Sequence, residues 1–468
     1  MQRKEFVVTP EAWLSRGEAS VAGEGVQLSV FGGIPGERAR VRVISERPHQ
    51  VRSRWIGPAG PRHPDRVPVA CDRWASCGRC SLLHLSPEGA RGARQAIWGS
   101  AFAGAPVPVA GAGAPLPGSD VLHALTLVAG RSDIGRARLG VEGMTGVVAI
   151  PECPVVIPAL RALMGTAAHA MIAQRLRPVG TPGGSFLGLA ARAALTGPDM
   201  VATLAFTRAV PFARAYAEAL IAEVPQLAGV VAHWSESRPA RGLVPPGAEV
   251  SVLEGRPWLE ETVGDAAGTL RVRVGAADPW HATRGALDAH LAAVEALGVG
   301  PGDTPVDLGC GVGLRTLLLA RRAGWALGID HETHGLARAR ASATADGSRA
   351  LFLGLGEGES AVTHPEVVSR VEGRRPHVLL DTGTRGLDPD TRALLRRWNP
   401  RRVVLIGTNP RALANDAAAA LEGGGLKLAG VALHDADPHT PHGVGRVVLE
   451  STDATAATRR APRRTLVR

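Results

Sequence analysis

From residue 276 to 452 short apolar runs alternate with amphipathic stretches. TPVDLG, WALGID, HVLLD and RRVVLIG are brief, rich in Val, Ile and Leu, and bounded by Gly, Asp or Asn, which reads as buried strands. Between and around them GALDAHLAAVEAL, LRTLLLARRA, HGLARARASATA, TRALLRRW and NPRALANDAAAALEGG carry apolar residues at helical spacing. LKLAGVALHD and GRVVLE close the series as strands. This alternation predicts an α/β fold with a doubly wound parallel sheet.

The pattern differs upstream. Residues 1–60 show short alternating stretches broken by Gly and Pro-Gly turns, with QLSVF and ARVRVI the clearest strands, so a small β domain is expected there. Arg38, Arg40 and Arg42 at a period of two would share one strand face, with Arg47 close by. Such a face suits a phosphate backbone or is simply solvated. Residues 61–275 read as a central α+β unit. ALRALMGTAAHAMIAQRL and FARAYAEALIAEV have helical spacing, and VLHALTLVAG, ARLGVEGMTGVVAI, MVATLAF and GVVAHWS read as strands. Within it, AFAGAPVPVAGAGAPLPGSD has the composition of a flexible loop. Residues 453–468 form a basic tail expected to be disordered.

A length of 468 residues accommodates about two to four domains. No apolar run is long enough for a membrane span and the N-terminus lacks a signal-peptide core, so a cytoplasmic protein without membrane contact, a monomer, is expected. The formal charge is +10, and only Lys4 and Lys427 are lysines. Arginine forks favour phosphate and stack on bases, which points to nucleic acid. A GC-rich coding bias, which also raises Ala, Gly and Pro, accounts for the same composition, so charge alone does not establish the partner.

Two motifs carry chemistry. Asp307-Leu-Gly309-Cys310-Gly311-Val-Gly313 follows a strand and opens a helix, where glycines allow a tight turn and close backbone approach to a ligand. Asp330 ends the next strand, where an acidic residue can bond a ribose hydroxyl. The G-x-G-x-x-G spacing of a dinucleotide site is absent, and the pattern is similar to the S-adenosylmethionine loop of class I methyltransferases. An NAD site is the alternative. Cys310 is expected to be structural. The second motif is Cys71, Cys77 and Cys80 in CDRWASCGRCSLLH, with Cys153 far downstream in PECPVVIPAL. Clustered cysteines in a reducing compartment suggest metal ligands: an iron–sulfur cluster, a zinc site, or unconnected thiols. Spacing does not separate the first two.

Taken together, these segments resemble the RNA 5-methyluridine methyltransferases, in particular the bacterial ribosomal-RNA members that hold a [4Fe-4S] cluster. GEASVAGEGVQLSVFGGIPGERARVRV is similar to their RNA-binding TRAM β-barrel, and CDRWASCGRCSLLHL to their C-x5-C-G-G-C-x3-H segment. PECPVVIPALRAL resembles the segment bearing the fourth ligand, and GRARLGV the arginine-rich strand of the central domain. VVLIGTNPRALANDAAAAL and DADPHTPHGVGRVVL resemble the two C-terminal signatures. The resemblance implies a class I, Rossmann-like methyltransferase domain behind the barrel and the central unit. It implies S-adenosylmethionine as cofactor, an rRNA or tRNA substrate, and a [4Fe-4S] cluster on Cys71, Cys77, Cys80 and Cys153, with zinc the alternative. It places His281, Asp307, Gly309, Gly311, Gly313, Asp330 and Asp381 at the cofactor.

The departures fall on the chemistry. Family members attack uracil C6 with a cysteine thiolate and remove the C5 proton with a glutamate. Here the cysteine position is Thr408 and the glutamate position is Val444. A threonine hydroxyl is far less acidic than a thiol, and valine takes no proton. The family's D-P-P-R-x-G reads Asp381-Thr-Gly-Thr-Arg385-Gly386, a glutamine is replaced by His281, and an asparagine by Leu314. The chain is therefore expected to methylate a better nucleophile by another route, or to be a non-catalytic RNA-binding iron–sulfur relative. His439 and His442 read as structural, His84 as packing beside the cysteines, and Trp55 and Trp74 as packing residues, with base stacking the alternative at Trp55.

Overall fold

The computed structural model describes residues 4–453 apart from 22–24, 114, 133, 145, 237–242, 245–249, 266–267, 332, 357–358 and 384–385. The tail expected at 453–468 lies outside these residues except for Asp453, and so does Arg385.

The N-terminal unit is a six-stranded, mostly antiparallel sheet in the order Glu5–Val8, Ala39–Arg47, Gln50–Pro58, Gln27–Phe31, Ala19–Val21, Ala12–Trp13. Val30, Ala39 and Val41 alternate inward to form its small core. Arg38 and Arg40 are exposed, whereas Arg42 donates its Nε–H to Glu5 at 2.7 Å. Trp55 is covered: the Arg66 guanidinium sits 4.3 Å above its ring and is itself paired with buried Glu37.

The central unit is a seven-stranded sheet, ordered Val147–Val148, Ala137–Glu142, Ala124–Arg131, Phe186–Ala193, Met200–Phe206, Leu227–Trp234, Ser251–Gly255. Helices Pro158–Ala173 and Ala213–Glu223 bury their apolar stripes on it, through Leu160, Leu163, Met171, Tyr216 and Leu220. A separate hairpin, Trp258–Asp265 with Gly268–Gly275, leads into the C-terminal unit.

That unit is an eight-stranded sheet in the order Ala350–Gly354, Ala326–Asp330, Pro305–Leu308, His377–Gly383, Arg402–Gly407, Gly443–Ser451, Leu426–Asp435, Val109–Ala112. The first five strands are parallel, Gly443–Ser451 runs antiparallel to them, and Leu426–Asp435 runs antiparallel to Gly443–Ser451. Helices cover both faces. Arg284–Leu297 and Leu314–Ala323 share one core, and Pro389–Trp398 and Pro410–Glu422 share the other. This is the α/β doubly wound architecture expected from the alternating pattern.

Val109–Ala112 corrects one expectation. It lies in the Gly/Ala/Pro-rich stretch that reads as a flexible loop, yet it pairs in parallel with Val431–His434. The preceding helix Pro87–Ala101, capped by the Ser86 hydroxyl, drives Ile97 and fully buried Trp98 into the C-terminal core. Residues 87–112, expected in the central unit, thus pack with the C-terminal sheet, against a strand more than three hundred residues further along the chain.

Candidate cofactor site, acceptor cavity and cysteine centre

The parallel strands aim their C-terminal ends at one edge of the sheet, where ligands of open α/β folds bind. Four segments meet there: the Gly309–Gly313 loop, Asp330, Asp381 and Thr408. The loop is fastened sideways. The N–H groups of Gly309 and Cys310 reach the Ile329 carbonyl at 2.9 and 3.2 Å, and the Gly311 N–H donates to Asp330 Oδ2 at 2.7 Å. Gly311 and Gly313 hold φ of +54° and +86°, a region that costs a side-chain-bearing residue about 1–2 kcal/mol.

Two cavities flank this loop. The smaller, about 180 Å³, lies between Gly309, Asp330, His331, Leu355, Asp381 and Leu387. The larger, about 380 Å³, is bounded by His281, Gly309, Gly311, Arg315, Asp381, Thr408, Asp437 and Val444. Of the expected cofactor residues, Gly309, Gly311, Asp330, Asp381 and His281 therefore face one or both cavities. Asp307 and Gly313 lie beneath the loop. Asp307 is fully buried and accepts from Arg315 Nε at 3.1 Å and Thr316 Oγ1 at 2.8 Å. A methyl group on Gly313 would stand 2.8 Å from Ala339 Cβ and from the Phe352 ring.

Sequence reasoning missed Arg315. Its guanidinium donates to Asp307, to Asp381 at 3.0 Å, to the Gly309 carbonyl and to His290 Nδ1 at 3.1 Å. Burial alone would weaken its charge, but Asp307 and Asp381 outweigh burial and hold it firmly protonated. The signal was available: a cation in the first turn of a helix, where the macrodipole disfavours it, needs a carboxylate partner. Burial, together with Arg315, keeps both His281 and His290 neutral, and the two rings are tilted at 51° with centroids 4.3 Å apart.

Thr408 follows strand Arg402–Gly407 and is exposed at the cavity rim, beside Asn409, whose side chain caps the next helix. Val444 is 2% exposed. Cys310, the fifth cysteine, is buried against Gly328 of the neighbouring strand, and burial pushes its thiol well above the usual range. No thiolate therefore serves this cavity.

Cys71, Cys77, Cys80 and Cys153 are free, half-buried, and line a cavity of about 80 Å³ with Trp74, Leu83 and Ile150. The short helix Trp74–Cys77 ends in Gly78 at φ +71°, which turns the chain back toward Cys80. The Trp74 indole donates to the Cys80 carbonyl at 2.7 Å and packs on Phe31 and His84, so this tryptophan and this histidine brace the segment. Burial raises the Cys77 and Cys80 thiols; at Cys80 the Asp437 carboxylate adds to it, and at both the other thiols of the set add less. Among the described residues no group of three or more His, Cys, Asp or Glu side chains is placed to hold a metal ion.

The cysteine segment docks on the loop that carries Asp437. The Leu82 N–H donates to the His439 carbonyl at 2.9 Å, and Arg94 clamps Asp435 at 2.9 and 3.0 Å while donating to the Pro438 carbonyl at 2.9 Å. His439 contacts the Gly118 carbonyl at 2.5 Å.

Comparison with known proteins places this architecture. The fold, a doubly wound α/β sheet behind an N-terminal β domain, is similar to that of the tRNA (uracil-54, C5)-methyltransferase of Pyrococcus abyssi in complex with S-adenosyl-L-homocysteine, which superposes with a TM-score of 0.69 at 16% identity, over 95% of this chain and all of that one. No family model matches the chain. It is similar, at 25% identity over 89% of both chains, to the 23S rRNA (uracil(1939)-C(5))-methyltransferase RlmD of Alkalilimnicola ehrlichii. It is likewise similar, at 24% identity over 96% of this chain and 97% of that one, to an uncharacterized RNA methyltransferase of Bacillus cereus. Among the described residues no helix is long and apolar enough to cross a membrane.

Proposed function

We propose that this chain is an S-adenosylmethionine-dependent RNA methyltransferase, acting on rRNA or tRNA, that does not form 5-methyluridine through a cysteine adduct. The observation that carries this reading is the larger cavity. The glycine loop opens onto it as a cofactor loop should, yet the wall holds Thr408 and Val444 and offers no reactive thiol.

Bound S-adenosylmethionine supplies an electrophilic methyl carbon on a sulfonium. The Gly309–Gly311 backbone, Asp330 and Asp381 line its seat, which spans the two cavities, with Asp330 also fixing the loop through the Gly311 N–H. Arg315 holds Asp381 in place and offsets the buried charge of Asp307. His281, neutral, lines the larger cavity together with Thr408 and Val444. The acceptor is a base nitrogen or a ribose hydroxyl, which needs no prior addition to the ring. Its lone pair forms the new bond to the methyl carbon, the carbon–sulfur pair stays on sulfur as a thioether, and the acceptor proton leaves to solvent.

The test is methyl transfer from labelled S-adenosylmethionine to total RNA lacking this protein's modification, read by nucleoside mass spectrometry. Label in a nucleoside other than 5-methyluridine is expected. Label in 5-methyluridine overturns the altered acceptor. RNA binding without label identifies the non-catalytic relative instead.

The four thiols are also the donor set of a [4Fe-4S] centre: four free cysteines line one cavity. Cys71, Cys77, Cys80 and Cys153 would hold it and thereby staple the cysteine segment to residues 150–155; it has no part in methyl transfer. Anaerobically purified protein is expected to be brown. Cys77→Ser and Cys153→Ser each should lose the colour and most of the iron while keeping cofactor affinity. Colourless protein with stoichiometric zinc sinks the iron assignment.

A further inference from the structure

Part of the larger cavity is walled by a loop rather than by the sheet. Ala436 and Asp437 line it, and both lie between the last two strands, in residues 436–442. Arg94, 341 residues before the end of the first of these strands, governs that loop. It is 3% exposed. Its Nε and Nη2 donate to the two Asp435 carboxylate oxygens at 2.9 and 3.0 Å. Its Nη1 donates to the Pro438 carbonyl at 2.9 Å and to the Thr440 carbonyl at 3.4 Å. One guanidinium thus grips the chain before and after the two cavity-lining residues, a span that a rigid fork of donors covers and a single ammonium does not. The loop is also tied to itself. The Asp437 carboxyl bonds the His439 backbone and the Thr440 side chain, and Thr440 Oγ1 accepts from the His442 N–H at 3.1 Å. A shift at Pro438 or Thr440 therefore carries Asp437 with it. The cofactor loop is fastened elsewhere, to the Ile329 carbonyl and Asp330, and Asp381 is held by Arg315.

We propose that Arg94 is a positioning residue for the RNA acceptor: it sets the 436–442 loop so that the Ala436–Asp437 wall stands against the nucleotide entering the larger cavity. This rests on the methyltransferase reading above and adds a residue to it that touches neither RNA nor cofactor. The effect belongs to the acceptor side alone, because the cofactor seat has its own fastenings. Its size follows from geometry: a group displaced by about 1 Å from its productive place costs up to roughly 100-fold in rate. The other anchors of the loop do not replace the fork. Thr283 Oγ1 holds the Ala436 carbonyl at 2.7 Å, the Leu82 N–H holds that of His439 at 2.9 Å, and the Trp98 indole holds that of Pro441 at 3.3 Å. The carbonyls of Pro438 and Thr440 are left to Arg94.

The experiment uses the full-length protein, S-adenosylmethionine and total RNA lacking the modification, and it reads label in whichever nucleoside the wild type methylates. Two variants separate positioning from folding. Arg94→Lys keeps a charge for Asp435 and gives up the fork. Arg94→Leu/Asp435→Asn removes both charges, so no buried carboxylate is stranded, and its urea midpoint should lie near that of the wild type. Each should lower kcat/KM for RNA about 10- to 100-fold, with the Kd for S-adenosylmethionine unchanged by calorimetry. Amide exchange at His439 should quicken in both, while exchange at Gly309 and Gly311 stays as in the wild type. A double variant that folds and methylates RNA at the wild-type rate overturns the proposal, and so does unchanged exchange at His439 in both variants. An equal loss of cofactor affinity also overturns it, since Arg94 would then act on the whole domain. Wild type that binds S-adenosylmethionine and RNA but transfers no methyl group defeats the methyltransferase reading itself, and this proposal with it.

Discussion

Arg315→Leu should cost about 3–5 kcal/mol of folding stability, the penalty for leaving one member of a buried ion pair alone. The Arg315 side chain is 6% exposed and that of Asp307 is sealed. Without the guanidinium, Asp307 keeps only the Thr316 hydroxyl, whereas Asp381, 31% exposed, can be rehydrated. The expected loss therefore comes mainly from Asp307. Urea unfolding reads it directly, and the double variant Arg315→Leu/Asp307→Asn should recover most of it. Arg315→Lys should rescue poorly, since an ammonium cannot reproduce a fork that reaches two carboxylates, a carbonyl and an imidazole. A loss below about 1 kcal/mol in Arg315→Leu would show that the network is not holding the sheet edge together.

The second large effect separates two glycines of one loop. Gly313→Ala combines a left-handed backbone with a methyl group 2.8 Å from Ala339 and Phe352, so about 2–5 kcal/mol of stability should be lost. Gly311→Ala adds its methyl group to open space at φ +54°, and the folding cost should stay near 1–2 kcal/mol. Because Gly311 faces the larger cavity, its variant should nonetheless weaken S-adenosylmethionine binding by at least about 10-fold. Melting curves and calorimetry on the two variants give the test. Equal losses of stability and of affinity in both would remove the distinction between the supporting and the facing side of the loop.

The C-terminal sheet was legible because strands buried on both faces read as plain apolar runs and the helices between them keep a clear period. Its glycine loop was legible for the same reason, being fixed in sequence between a strand and a helix. What escaped was whatever depends on distant packing. The Val109–Ala112 strand has too many small residues to announce itself, and it is a strand only because Val431–His434 offers an open edge. Helix Pro87–Ala101 has Gly89, Gly92 and Gly99, and it is held by Trp98 and Arg94 in a core made by other segments. Asp307 read as a ligand-facing acid because the motif puts it beside the glycines, and only the fold shows it turned inward to Arg315. Asp437 carried no local signal at all: a carboxylate in an Asp-Pro-His turn looks like a surface residue until the clamped loop is seen around it.

Synthesis from the N-terminus gives the Arg94 clamp a temporal meaning. Its partner Asp435 is 341 residues further along the chain, so at about 5–20 residues per second helix Pro87–Ala101 leaves the ribosome roughly 20–70 s before the strand it must meet. For that interval Ile97 and Trp98 have no core to enter. The nascent chain therefore carries a helix with one apolar end waiting through most of its own translation. A fragment beginning after residue 112 would make a sheet with an unfilled flank and a bare edge.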